Sequence, residues 1–291
     1  MTDLKPPSSS PPLFNDLKAR VASGVVMLAV AVGALAAGGV WFALFWLAAA
    51  LAILWEWQRL LGAGWRERFL VGALGVVVAA ALAAQMAADV ALAPLAIAAL
   101  AVAWRAPRGL KLWAAGGVLY AGALVVSVEA LRPNIGGPLE PAVNLKAVLW
   151  LCAVVWGSDI GAYFAGRLIG GPKLWLRVSA GKTWSGAIGG ALAGAGLGLA
   201  VALWWPAAPA AQSWTPLIVM GIAVSIASQC GDLFESAVKR RFGVKDSSRL
   251  IPGHGGVMDR LDGFVAAAAF VVLVAVVRGA PSAAEGVLVW N

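Results

Sequence analysis

The 291-residue sequence is poor in the residues that keep proteins soluble: only 12% are charged, and it has one histidine and two cysteines. Water-soluble domains are typically about one quarter charged, so this composition argues against a soluble fold. Cys152 and Cys230 fall inside apolar segments at different predicted depths, which argues against a disulfide between them. The formal net charge of +8 is not gathered in a soluble basic domain, which excludes a nucleic-acid-binding protein.

Apolar runs fill most of the sequence, which is 61% hydrophobic. A helix of about 20 such residues crosses a bilayer, so the sequence predicts an all-α polytopic membrane protein with about nine transmembrane helices. The run from Val21 to Trp55 is too long for one span and is divided at Gly38-Gly39. The predicted spans are 21–38, 40–55, 69–88, 90–104, 112–131, 145–165, 186–205, 215–234 and 263–278.

Lysine and arginine are distributed asymmetrically around these spans. If the N-terminus is cytoplasmic, all of the 22 basic residues except Arg132, Lys146 and Arg278 lie on the cytoplasmic side. Cytoplasmic loops of membrane proteins carry such an excess of positive charge. The sequence therefore predicts a cytoplasmic N-terminus, an external C-terminus and a multi-pass protein of the inner cell membrane.

Acidic residues at membrane depth are costly and are usually functional. Asp159, Asp232, Asp259 and Asp262 all lie near the predicted cytoplasmic ends of spans. Asp259 and Asp262 are spaced i and i+3, so both project from one helical face. Carboxylates grouped without cysteine or a second histidine are typical of a Mg²⁺ site, and the metal ligands predicted here are Asp232, Asp259 and Asp262. The alternative is that these acids form salt bridges with neighbouring basic residues.

The segment between the last two spans combines basic residues with glycines. Ser236 and Lys239 follow Asp232 on one helical face, and the cluster Lys239, Arg240, Arg241, Lys245 and Arg249 suits a polyphosphate. The sequence Pro252-Gly-His254-Gly255-Gly256 permits unusual backbone angles and close approach of amides to an anion. A direct functional role is predicted for His254, with an ordinary positive cytoplasmic loop as the alternative.

A second basic segment, SAGKTWSGAIGG, is not a P-loop. Leu176 stands where that motif needs its first glycine, and no strand is predicted before it. Lys182 can still reach a phosphate. Beyond it, Gly186, Gly190, Gly194 and Gly198 recur every fourth residue and predict close helix packing, either within the chain or in a homodimer.

These motifs together resemble the signature of the phosphatidate cytidylyltransferase (CDP-diacylglycerol synthase) family. The match runs through Ser236-x-x-Lys239-Arg240, Lys245-Asp246, Pro252-x-His254-Gly255-Gly256 and Asp259-Arg260-x-Asp262. The segments Asp159 to Arg167 and Lys182 to Gly186 resemble two shorter pieces of the same family. Ser185 stands where the family often has Glu or Gln, and no role is assigned to it.

The resemblance implies a Mg²⁺-dependent enzyme that makes CDP-diacylglycerol and pyrophosphate from CTP and phosphatidic acid; a second cation is an open alternative. It implies catalytic roles for Asp232, Lys239, Asp259 and Asp262. The residues implied to bind substrate are Ser236, Arg240, Lys245, Asp246, His254, Gly255, Gly256 and Arg260, followed by Asp159 and Lys182.

The chain divides on this basis into a disordered cytoplasmic tail (1–20), N-terminal transmembrane helices (21–141) and a catalytic transmembrane core with a cytoplasmic-facing site (142–291). The first span has an alternative interpretation as a cleaved secretory signal, which the uninterrupted apolar sequence after it argues against. Two other functions are considered: a CTP-dependent polyprenol or phytol kinase, which the uninterrupted signature disfavours, and a cation transporter, which would leave the basic cluster and the glycine-rich loop unused.

Overall fold

The computed structural model describes residues 13–85, 89–133, 141–204 and 213–290. It consists of helices joined by short connections, with a single two-stranded sheet in the described part of the chain. The helices are α1 (Leu13–Ala37), α2 (Gly39–Leu60), α3 (Trp65–Gln85), α4 (Leu92–Arg105), α5 (Lys111–Leu131), α6 (Pro141–Leu168), α7 (Trp184–Trp204), α8 (Trp214–Arg241), α9 (Met258–Val277) and α10 (Ala283–Leu288). The antiparallel strands β1 (Lys173–Trp175) and β2 (Ser179–Thr183) lie between α6 and α7.

The predicted class, an all-α polytopic membrane protein, is confirmed. Within the described residues, seven helices are long and apolar enough to cross a membrane, and two shorter apolar helices, Val21–Ala37 and Leu92–Arg105, correspond to the first and fourth predicted spans. The 14 residues of α4 extend only about 21 Å at 1.5 Å per residue, less than the roughly 30 Å hydrocarbon core. The ends of two predicted spans, 86–88 and 205, lie outside the described residues.

Residues 13–20, predicted above to belong to a disordered tail, are helical in the structure. Helix α1 already begins at Leu13, and residues 1–12 lie outside the description. The sequence from Leu13 to Arg20 contains no glycine or proline and follows Pro12, a residue that favours the start of a helix. The helix therefore extends before the apolar run that marked its predicted beginning.

Side-chain contacts divide the helix ends into two groups. At one end, which we call the charged end, Glu56 of α2 reaches Met258 of α9, and Lys239 of α8 reaches Asp259. At the opposite end, Arg132 donates to the carbonyl of Leu35, and Arg278 donates to the carbonyl of Gly286. Successive helices from α1 to α9 thus run in alternating directions.

Glycines bring α6 and α7 together. A Cβ atom added to Gly194 would lie 2.6 Å from the carbonyl oxygen of Val154, and one added to Gly157 would lie 3.1 Å from Cα of Gly194. The predicted close packing at the glycine stripe is therefore present within the chain, against α6. The stripe gives no support to a homodimer because its glycines face a neighbouring helix of the same chain.

A second close approach joins α8 to α9. A Cβ added to Gly231 would lie 2.6 Å from the carbonyl oxygen of Asp262, and one added to Gly263 would lie 2.5 Å from Oγ of Ser228. These glycines directly precede Asp232 and follow Asp262 in the sequence. The close crossing of the two backbones at these glycines consequently brings Asp232 and Asp262 near each other.

The N-terminal helices pack against this crossing. Trp46 of α2 stacks on Phe264 of α9 with ring centres 4.9 Å apart, and Tyr120 of α5 donates to the carbonyl of Asp262 at 3.2 Å. Trp57 is buried and lies near the rings of Tyr120 and Phe234. The charged end is therefore not confined to the predicted catalytic core at 142–291.

Candidate active site at the charged end

Asp259, in the first turn of α9, is held by the protein on both carboxylate oxygens. Oδ1 lies 2.7 Å from Nζ of Lys239, while Oδ2 accepts from the amide of Gly256 at 2.8 Å and from the hydroxyl of Ser247 at 2.9 Å. The amide of Ser247 also points at both oxygens. Asp259 therefore forms the kind of salt bridge that was considered above as the alternative to metal binding.

Lys239 is shared between two acids. Its ammonium lies 2.7 Å from Oε2 of Glu235, one turn earlier on α8, and 2.7 Å from Oδ1 of Asp259. The side chain of Glu235 is 1% exposed, so the lysine provides a polar partner for a buried acid as well as joining α8 to α9. Glu235 was not among the predicted site residues, although its i,i+4 spacing from Lys239 is visible in the sequence.

Asp232, Asp262 and Asp159 form a second group around the crossing of α8 and α9, and Asp262 is also within electrostatic range of Lys239. Asp262 lies within electrostatic range of Asp232 and, more weakly, of Asp159. Nζ of Lys182, at the end of β2, lies 2.5 Å from Oδ2 of Asp232. Lys182, predicted to reach a phosphate, forms an ion pair with Asp232 in this structure.

The three predicted metal ligands are not gathered at one point. In the described part of the chain, no three histidine, cysteine, aspartate or glutamate side chains are close enough to hold a metal ion together. Asp259 belongs to the Lys239 group, whereas Asp232 and Asp262 belong to the helix crossing. Ser236, predicted to bind phosphate, is half-buried and its hydroxyl is 3.5 Å from Oδ1 of Asp232, at the limit of a hydrogen bond.

The segment between α8 and α9 encloses a cleft of about 500 Å³. The cleft brings together five of the predicted substrate-binding residues, Lys245, Asp246, His254, Gly255 and Arg260. Arg249, Ser248, Ile251, Pro252 and Gly253 complete its lining. Arg240 is not part of the cleft; its guanidinium is exposed and donates to the carbonyl of Val244 at 3.3 Å.

The glycine-rich loop of this cleft is a tight turn. The amide of Ile251 donates to the carbonyl of Gly255 at 2.8 Å, and Gly253 and Gly255 have φ angles of 75° and 85°. Such positive φ angles are readily accessible only to glycine. Arg260 donates from Nε and Nη2 to the carbonyl of His254, at 3.0 and 2.8 Å, and so ties the turn to α9.

His254 connects this loop to α1. Its Nδ1 lies 2.9 Å from the hydroxyl of Ser23, which also lies 2.9 Å from the carbonyl oxygen of Pro252. A second cavity, of about 360 Å³, is lined by His254 and by Val21, Gly24, Val25 and Leu28 of α1. His254 therefore stands between a polar cleft and an apolar groove, a position that its sequence neighbours do not indicate.

Glu56 is a second acid that sequence reasoning missed. Its side chain is completely buried, yet it extends from α2 to the loop before α9. Oε1 accepts from the amide of Val257 at 2.9 Å and the hydroxyl of Ser248 at 2.6 Å, and Oε2 accepts from the amide of Met258 at 2.7 Å. The one available signal was an acidic residue within the apolar sequence AILWEWQRL.

Gly256 lies between the carboxylates of Glu56 and Asp259, where there is no room for a side chain. This leads to a first prediction. A Cβ at this position would overlap Oγ of Ser247 and a carboxylate oxygen of Glu56. Because both atoms are held by hydrogen bonds, Gly256→Ala should lower the free energy of unfolding by about 1–3 kcal/mol, as overpacking of a buried site typically does. Thermal melting in detergent would measure this loss. Gly109→Ala is the matched control, since no atom lies within 4 Å of its added Cβ; equal melting temperatures for the two variants would contradict the prediction.

Comparison with known proteins adds to this geometry. Residues 18–277 match the family model described as "Cytidylyltransferase family". The chain is 40% identical over 277 residues to the phosphatidate cytidylyltransferase of Brucella suis, covering 92% of this chain and 96% of that protein. It is 36% identical over 267 residues to the phosphatidate cytidylyltransferase of Pseudomonas aeruginosa, covering 86% of this chain and 94% of that protein.

Proposed function

The chain belongs to the cytidylyltransferase family, and we propose on this premise that it transfers CMP from CTP to phosphatidic acid, giving CDP-diacylglycerol and pyrophosphate. The observation that carries the proposal is the position of Arg260. Its side chain lines the cleft between α8 and α9, which we call the basic cleft. Asp262, two residues later, lies at the helix crossing with Asp232. A space suited to a polyphosphate thus adjoins a group of carboxylates at the end of a membrane-spanning bundle, where a nucleotide and a phospholipid can meet.

The reaction needs little acid–base chemistry from the protein. A phosphate oxygen of phosphatidic acid attacks the α-phosphorus of CTP, and the bond from that phosphorus to the bridging oxygen of pyrophosphate breaks. Because the nucleophile is already an anionic oxygen, catalysis depends on positioning and on neutralising negative charge. The proposed nucleotide contacts are the cleft residues Lys245, Asp246, His254, Gly255 and Arg260, with the amide-rich turn that includes Gly256.

Lys239 is the proposed phosphate contact beside the cleft. An ammonium has three N–H donors. In the described structure, Glu235 and Asp259 occupy two of them. The third can donate to a phosphate oxygen while the two acids hold the ammonium in place. Ser236 and Arg240, one turn before and directly after Lys239, are proposed to contact the lipid phosphate.

The acids at the helix crossing fit Mg²⁺. This cation is commonly bound by one or two carboxylates together with substrate phosphates. Asp232 and Asp262 supply such a pair, and Asp159 lies within electrostatic range of it. Asp259 is the least suited of the three predicted ligands, since Lys239, Ser247 and Gly256 all donate to it at 2.7–2.9 Å, whereas the short contact of Asp232 is with Lys182. A cation held there would neutralise charge on the leaving pyrophosphate, and Lys182 would orient the carboxylate of Asp232.

We also propose that the charged end faces the cytoplasm of an inner membrane. The proposal counts the two shorter apolar helices with the seven longer ones as crossings in alternating directions, which makes the N-terminus cytoplasmic and the C-terminus external. Cysteine labelling tests this orientation. In a background with Cys152→Ala and Cys230→Ala, an impermeant maleimide added to intact cells should label Asp89→Cys, between α3 and α4, but not Ala63→Cys, between α2 and α3. Both positions are exposed, so labelling of position 63 alone would reverse the orientation.

The activity itself is tested with CTP labelled at the α-phosphate. Purified protein incubated with this CTP, phosphatidic acid and Mg²⁺ should produce a labelled lipid and release one pyrophosphate for each lipid formed. CTP labelled at the γ-phosphate should leave the lipid unlabelled. Lipid labelled only from the γ-phosphate would identify a kinase and overturn the proposal.

A further inference from the structure

Glu56 lies in the N-terminal half of the chain, far in sequence from every motif of the site. Four polar groups near the two ends of the segment that forms the basic cleft lie within hydrogen-bonding distance of the Glu56 carboxylate: the hydroxyls of Ser247 and Ser248, and the amides of Val257 and Met258. Each carboxylate oxygen faces one hydroxyl and one amide. A single carboxylate on α2 therefore ties the two ends of this segment together.

The same contacts determine how α9 begins. Val257 and Met258 carry the first amides of α9, which have no partner within the helix and need an acceptor from elsewhere. Glu56 supplies that acceptor, and a negative charge at a helix N-terminus is favourable. Because Asp259 and Asp262 are in the first turns of α9, the start of this helix sets where both aspartates point.

Glu56 is also coupled to Asp259 through Ser247. The hydroxyl of Ser247 lies 2.9 Å from Oδ2 of Asp259 and 3.2 Å from Oε2 of Glu56, and it has only one proton to donate. The shorter distance favours Asp259, with Glu56 held more firmly by Ser248 and the two amides. The two acids thus share one hydroxyl, and movement of either changes the position of the other.

We propose that Glu56 is a positioning residue for the nucleotide cleft: it makes no contact with substrate, and it holds the cleft segment and the start of α9 in the geometry that the reaction needs. This inference rests on the proposed function. Glu56→Gln is the direct test, since glutamine has the same shape but replaces one acceptor oxygen with an NH₂ group that faces donors. We expect a loss of about 10- to 100-fold in kcat/KM, the range seen when residues that orient a site are changed, with the loss appearing mainly in KM for CTP.

Glu67→Gln is the matched control, because Glu67 is an exposed acid on α3 at the same end of the molecule. A double-mutant cycle with Ser248→Ala adds a measurement that general destabilisation would not move. If Glu56 acts through Ser248, the double variant should lose clearly less kcat/KM than the product of the two single losses. Fully multiplicative losses would overturn the proposal.

Hydrogen–deuterium exchange provides a measurement that does not depend on the reaction. In Glu56→Gln, peptides spanning 245–257 should exchange faster than in the wild type, while peptides from α6 and α7 should not change. Faster exchange throughout the protein would show that Glu56 has only a structural role and would overturn the proposal. Unchanged exchange in peptides from 245–257 would also overturn it. If the protein made no CDP-diacylglycerol at all, the proposed function would fail while the exchange result still tested Glu56.

Discussion

Asp262→Asn should abolish measurable turnover without lowering the melting temperature. The hydrogen bond seen for its carboxylate comes from the neighbouring amide of Gly263 at 2.8 Å, and the oxygen of an asparagine side chain can accept it equally well. Removal of the charge also relieves repulsion with Asp232 and Asp159. Loss of one electrostatic stabiliser typically costs on the order of 10²–10³ in kcat, and loss of a bound cation should cost more.

The comparison that decides this prediction is Asp259→Asn. Asp259 is held by Lys239, Ser247 and Gly256, so its neutralisation should lower the melting temperature together with the activity. Asp89→Asn, an exposed change at the opposite end, is the control for both. Assays of kcat against Mg²⁺ concentration and melting curves in detergent separate the variants. Near-normal turnover of Asp262→Asn at saturating Mg²⁺ would remove Asp262 from the metal site.

Lys239→Met should lose both stability and activity, and a second substitution should restore only the first. Without the ammonium, the buried carboxylate of Glu235 has lost its partner, and breaking such a pair typically costs about 3–5 kcal/mol. Glu235→Gln in the same chain removes the uncompensated charge. The double variant should therefore recover part of the melting temperature, since Asp259 keeps Ser247 and Gly256 but still lacks the ammonium. It should nevertheless remain at least about 10²-fold below wild type in kcat/KM if the ammonium contacts phosphate.

Lys173→Met is the matched control, because Lys173 is an exposed lysine of β1 at the same end of the molecule. If Lys239 serves only as the partner of Glu235, the double variant should recover activity along with stability. That outcome would assign Lys239 a purely structural role and leave the phosphate contact to Arg240.

The fold class was predictable because hydropathy and charge each report on the membrane directly. The long helices correspond to apolar runs. The sidedness expected from the distribution of lysine and arginine stays a prediction. The ends of helices were less predictable, since α1 begins at Leu13 in polar sequence that hydropathy does not recognise as helical. Local sequence also predicted the cleft, because its residues follow one another between α8 and α9.

The partners of the acids were not predictable in the same way. The i,i+3 spacing correctly places Asp259 and Asp262 on one face of α9, but it does not distinguish their surroundings. Asp259 meets the loop amides and Lys239, whereas Asp262, one turn further along, meets the backbone crossing at Gly231 and Gly263. Glu56 and Ser23 were missed because their partners are about two hundred positions away, and spacing rules describe only neighbours in a helix.

That separation between Glu56 and its donors has a consequence for biosynthesis. The donors follow Glu56 in the sequence by 191 to 202 positions. At a synthesis rate of about 5–20 residues per second, this carboxylate waits on the order of 10–40 s before the segment that will bury it leaves the ribosome. An unpartnered carboxylate is costly in lipid, so during that interval Glu56 has to be neutralised or kept in contact with water. Insertion of the early helices and completion of the cleft are thus separate events in time, and the cleft is complete only when the start of α9 arrives.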